Sequence, residues 1–148
     1  MTEPIWFYAP HEDYGWMSNF SNHGFTCGGK YWKTSEHFFQ AMKFKGTKYE
    51  GEVRKANSPG DAAKMGRRRD LPLRRNWENV KEEVMMFALR QKIKAHPWMV
   101  EALIKTGDVV LVEHSARDKY WGDGGNGSGK NRLGHCWMNI RKECQNNV

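Results

Sequence analysis

A chain of 148 residues can bury one core but not two ordinary ones, so a single domain over residues 1–148 is expected. Lys and Arg number 24 against 17 Asp and Glu, and the resulting formal charge of +7 attracts anions such as phosphate esters, nucleotides or nucleic acid. The three cysteines form no CxxC pair, the N-terminus lacks a basic start and an apolar run, and no window approaches ~18 uninterrupted apolar residues; disulfide scaffold, signal peptide and membrane span are all unsupported, and a soluble cytoplasmic protein is expected.

Residues 5–9 are short, apolar and aromatic and run into the turn cluster PHEDYG, which predicts a first strand. A second strand is expected over residues 24–32, where β-formers flank Gly28-Gly29, and the two would form a small sheet. KTSEHFFQAMKFKG reads as a helix, capped by Thr34 or Ser35, with Glu36 in its first turn and Gly46 ending it. A second helix over residues 49–56 ends before the turn Ser58-Pro59-Gly60, and a short third one covers residues 61–65. From Asn79 apolar residues recur near a 3.6-residue period up to Pro97, predicting the longest helix. Residues 98–105 read as a short amphipathic helix, 109–113 as a strand and 133–144 as a closing helix, with a glycine-rich loop before it. Helices outnumber strands and do not alternate with them, so the class is α+β, several helices around a small sheet.

The loop YWGDGGNGSGKNRLG sets Lys130, Asn131 and Arg132 at a helix start behind Gly122, Gly124, Gly125, Gly127 and Gly129. Backbone N–H groups, a positive helix end and basic side chains suit a phosphate. The pattern is neither Walker A nor a dinucleotide fingerprint, and a plain surface turn of Gly and Asn fits it too. Asp118, Tyr120, Trp121 and Asp123 favour a pocket that also holds a ring and a sugar. Glu36 is either a helix-capping carboxylate or, half buried beside Trp32 and Phe38, a desolvated base. Ser18 and Asn19 stand in a loop where hydroxyl and amide could read a sugar or base. GRRRDLPLRRNW is a phosphate or nucleic-acid patch or a solvated face. His11, His23, His37, His96, His114 and His135 show no metal-ligand spacing, and no nucleophile elbow is present, so neither a metal, a cofactor nor acyl chemistry is expected.

Taken together, SNF, TSEHFFQAMKF, AAKMGR, LRRNWE and LVEHSARDKYWGDGGNGSGKNRLG resemble the YbiA-like proteins of the NADAR superfamily over nearly the whole chain. Residues 23–30 are less typical. The resemblance implies an α+β fold and an N-glycosidase acting on phosphoribosylamino-pyrimidines of the early riboflavin pathway. Other branches of the superfamily remove ADP-ribose from guanine, which makes ADP-ribosylated nucleic acid the alternative substrate and a non-catalytic ADP-ribose binder the third reading. It further implies that Glu36, Trp77, Asp118 and Trp121 serve the activity. On that reading Glu36 orients water, Asp118 steadies the sugar cation or ribose, and Trp121 and Trp77 stack on the pyrimidine. Lys130 and Arg132, with the loop's N–H groups, then hold the 5′-phosphate, alongside Ser18, Asn19, Gly122, Asp123 and Asn131.

Overall fold

A computed structural model describes residues 3–147. Along the chain run β1 (Ile5–Phe7), a 3-10 turn (Gly15–Met17), β2 (Phe25–Cys27), β3 (Lys30–Trp32), α1 (Ser35–Met42), α2 (Lys48–Arg54), α3 (Pro59–Gly66), α4 (Trp77–Ala95), α5 (Trp98–Lys105), β4 (Leu111–Glu113) and α6 (Arg132–Asn146). These elements fall into two units, Asn22–Ala95 and Met1–Ser21 with His96–Val148.

In the unit Asn22–Ala95, β2 and β3 form an antiparallel hairpin pairing Phe25 with Trp32. Gly28 and Gly29 hold its turn at φ values of 63° and 75°, where side-chain-bearing residues are disfavoured. The strand expected over 24–32 is thus two strands. Thr34, in extended conformation, caps α1 by accepting the His37 amide at 3.1 Å. The bond closes a local box: His37 Nε2 donates to the Ala56 carbonyl at 3.0 Å, leaving Nδ1 to accept from the Thr34 hydroxyl at 2.8 Å. Burial drives the His37 pKa down, which favours the neutral ring this box requires. Helix α3 begins two residues earlier than expected, because Ser58 is its cap and Pro59 its first residue, positions both residue types favour. Around α1 pack α2, α3 and α4, over a core that includes Phe25, Trp32, Phe38, Phe44, Met85 and Leu89.

In the other unit β1 does not pair with the hairpin. It runs parallel to β4, Ile5 opposite Leu111, and α6 packs on β4. A parallel pair needs a long crossover, a connection that local patterning cannot indicate. Trp16 meets Trp98 and Trp137 edge-on at ring distances of 5.8 and 5.6 Å, and Trp137 Nε1 donates to the Met17 carbonyl at 2.9 Å. No helix among the described residues is long and apolar enough to cross a membrane.

Lys92 lies wholly inside α4's buried face, and loss of water lowers its pKa to about 7. The unfolded chain holds that proton up to the ordinary lysine range, so between about pH 7 and 10 unfolding takes up a proton. Raising the pH through that window therefore favours the folded state. Lys92→Met is expected to flatten this rise, read as the difference between urea midpoints at pH 6.5 and pH 9.5 in the two proteins.

Candidate active site

Helix geometry places residues four and seven apart on one face, and on α1 that face carries Glu36 and Gln40, followed by Lys43 at the helix end. All three are buried, with exposures of 8, 7 and 8%. Gln40 Nε2 donates to Glu36 Oε2 at 2.7 Å. Lys43 Nζ donates to the Gly66 carbonyl at 3.3 Å and stands 5.9 and 5.8 Å from the ring centres of Phe39 and Trp77. The carbonyl of Gly66 also receives Arg69 Nη1 at 2.9 Å. Desolvation, and then the Arg69 guanidinium, lower the Lys43 pKa to about 8, against an opposing pull from Glu36. At neutral pH the amine keeps its proton and sets a positive charge against the carboxylate.

Trp77, expected to stack on a pyrimidine, is only 4% exposed. Its ring meets Phe39 edge-on at 5.0 Å and the Lys43 ammonium, so it packs in the interior rather than lying open. Sequence reasoning passed over Gln40, Lys43 and Gly66. For Gln40 and Lys43 the four- and seven-residue spacing from Glu36 was the available signal; Gly66 had none.

The glycine loop differs from the expected cradle. Its amides point inward: those of Gly124, Gly129, Lys130, Asn131, Arg132 and Leu133 donate to carbonyls of Asp118, Asp123, Lys119, Gly122, Tyr120 and Trp121 respectively. The start of α6 is therefore closed by the loop's own carbonyls. These amides are satisfied within the chain and are not open to an anion. Gly125 sits at φ 86° against Ala116, and a Cβ on Gly129 would come within 2.5 Å of the Gly122 carbonyl; the glycines serve close chain packing.

Three loop side chains expected at the substrate hold the loop itself. Asp118 Oδ1 accepts the amides of Tyr120 and Trp121 at 2.9 and 2.8 Å. Asp123, 3% exposed, accepts the amides of Ser115 and Gly125 and His114 Nδ1–H at 2.9 Å. Burial alone would raise its pKa, but the hydrogen bonds from His114, Gly125 and Ser115 outweigh it and the pKa is lowered. Asn131, in the left-handed region at φ 51°, accepts the Glu113 amide and donates to the Leu111 carbonyl, both at 2.9 Å. Gly122 is buried within the loop, Trp121 is half-buried and edge-on to Tyr120, and Lys130, on the exposed side, stands 5.6 Å over the Tyr120 ring. Arg132 is half-buried at the start of α6. Ser18 and Asn19 are buried, and Ser18 Oγ accepts the Phe20 amide at 3.1 Å.

In the arginine run, Arg68 pairs with Asp70 at 2.7 Å and Arg74 bonds Asn76 at 2.9 Å. With Arg69 on Gly66, three of these guanidiniums already have partners within the chain.

The NADAR domain profile matches residues 6–145. N-glycosidase YbiA of Shigella boydii is 52% identical over 137 residues, 93% of this chain and 86% of that protein. A riboflavin biosynthesis protein of Vibrio vulnificus is 38% identical over 145 residues, 98% of this chain but 40% of that longer protein. The NMR structure of the E. coli protein YbiA superposes with a TM-score of 0.90 at 49% identity, covering 99% of this chain and 88% of that one.

Because the Asn131 side-chain amide bonds both the Glu113 amide and the Leu111 carbonyl, Asn131→Ala is expected to cost about 1–3 kcal/mol in urea unfolding. Amide exchange at Glu113 should quicken with it. Asn131→Asp retains the acceptor but not the donor, so its loss should be smaller.

Proposed function

The chain belongs to the NADAR domain family, and on that footing we propose that it is an N-glycosidase of early riboflavin-pathway intermediates. Its substrates are phosphoribosylamino-pyrimidines and its products ribose 5-phosphate and a free aminopyrimidine. The observation that carries the residue assignment is Glu36: a buried carboxylate with one oxygen fixed by an amide at 2.7 Å and a lysine charge acting on it.

Breaking a C–N bond at a ribosyl carbon builds positive charge on the sugar. Glu36 takes a proton from water as the water oxygen bonds to the anomeric carbon. The C–N electron pair leaves with the nitrogen, which receives from Glu36 the proton taken from water and departs as the amine, so the carboxylate is regenerated. Lys43, held against the Gly66 carbonyl, keeps the carboxylate in a positive field that favours its ionised, proton-accepting form. Lys130 and Arg132 supply positive side chains for the 5′-phosphate, and half-buried Trp121 supplies a ring for stacking. Asp118 contributes negative charge to the sugar cation in addition to holding its turn.

The ion pair of Arg68 with Asp70 leaves less free charge for a nucleic-acid track than the sequence suggests. De-ADP-ribosylation of guanine is thus an outcome of the test rather than the favoured reading.

Glu36→Gln is expected to lower kcat for ribose 5-phosphate release by about 10²–10⁴-fold, as the loss of a general base does. Cleavage of an ADP-ribosylated guanine oligonucleotide, without release from the pyrimidine substrate, would overturn the substrate assignment. Asp118→Asn keeps an oxygen for the Tyr120 and Trp121 amides, so its urea midpoint should match wild type while kcat falls on the order of 10²-fold. An unchanged kcat would assign Asp118 to the turn alone.

A further inference from the structure

We propose that Gln40 is the positioning residue for Glu36, and that Gly66 lacks a side chain because the Gln40 carboxamide occupies its place. The proposal rests on the reading of Glu36 as the base. Both ends of the Gln40 amide are informative. Nε2 donates to Glu36 Oε2 at 2.7 Å, and Oε1 is buried with no hydrogen-bond partner. An unsatisfied buried carbonyl destabilises a fold, and an apolar side chain of the same length would fill this space without it. The retained amide therefore serves its donor end. Reversing it would set a carbonyl oxygen against a carboxylate oxygen, so ionised Glu36 selects the orientation seen.

Gly66 fixes where that amide can lie. A Cβ on Gly66 would fall 1.8 Å from Gln40 Oε1 and 2.6 Å from its Cδ. Adding one would push aside the far end of a side chain, which yields without breaking the fold, and would take Nε2 away from Glu36. The same glycine's carbonyl accepts Lys43 and Arg69, so one residue registers both the amide and the ammonium of the cluster. Arg69, Glu36, Arg67 and Glu78 are charges acting on Lys43, and the variants below retain all of them.

Three enzymes test it on the phosphoribosylamino-pyrimidine substrate: Gln40→Met, Gly66→Ala and the double variant. Each is expected to lose about tenfold or more in kcat, a fraction of a general base's whole contribution, with KM little changed. The acid limb of the kcat profile should move to higher pH, because a donor that favoured the ionised carboxylate is gone. Since both changes break one contact, the double variant should be no slower than the slower single one. Unchanged kcat and pH limb in Gln40→Met, or multiplying losses in the double variant, would overturn the proposal; so would a loss confined to the urea midpoint. Full activity in Glu36→Gln would instead remove the base assignment itself, a separate failure from that of Gln40.

Discussion

Every residue of α1 is buried. A helix without a solvent face must satisfy its polar side chains from within the protein, and α1 carries a carboxylate, an amide, an imidazole and, at its end, an ammonium. The unit around it is arranged to meet that demand. Thr34 and Ala56 hold the neutral ring of His37, Gln40 takes Glu36, and the Gly66 carbonyl takes Lys43. These partners come from the start of α1, the loop after α2 and the end of α3, so the polar demands of one short helix fix where its neighbours begin and end. The carboxylate proposed as the base is a by-product of the same arrangement, since burial and fixed partners are what tune a group for proton transfer.

The glycine loop obeys a different logic. Composition fits either backbone left open to an anion or a plain turn; the chain folds onto itself here and uses many of the amides internally. Asp123 and Asn131 show why: each is a short polar side chain reaching backbone groups on both sides, Asp123 as an acceptor and Asn131 as both acceptor and donor, and together they tie the loop to the end of β4. The loop's rigidity is built from hydrogen bonds rather than from apolar burial. Its basic side chains, Lys130 and Arg132, are carried on this internally bonded framework.

How far the sequence discloses this depends on range. Helix α1, its Thr34 cap and the periodic α4 rest on interactions between residues three or four apart, and those are legible. Ser58-Pro59 read as a turn because the same residues favour turns and helix starts alike. The parallel pairing of β1 with β4 was not legible, since nothing local marks a strand's distant partner. Of the site, Glu36 and Asp118 stood out as carboxylates in suggestive settings, and the motif resemblance singled them out further. Gln40 and Lys43 looked like ordinary helix residues, and their meaning depends on Gly66, more than twenty residues on.

Trp137 reaching the Met17 carbonyl spans 120 residues, and β1 finds its partner only at β4. The stretch Asn22–Ala95, by contrast, is continuous in sequence. On a ribosome the helix bearing Glu36 therefore has its partners within reach long before β1 does, and β1 must wait for β4 to emerge. Trp6 and Phe7 of that waiting strand are apolar, which makes the interval between their synthesis and that of β4 the period in which the nascent chain is most exposed to wrong association.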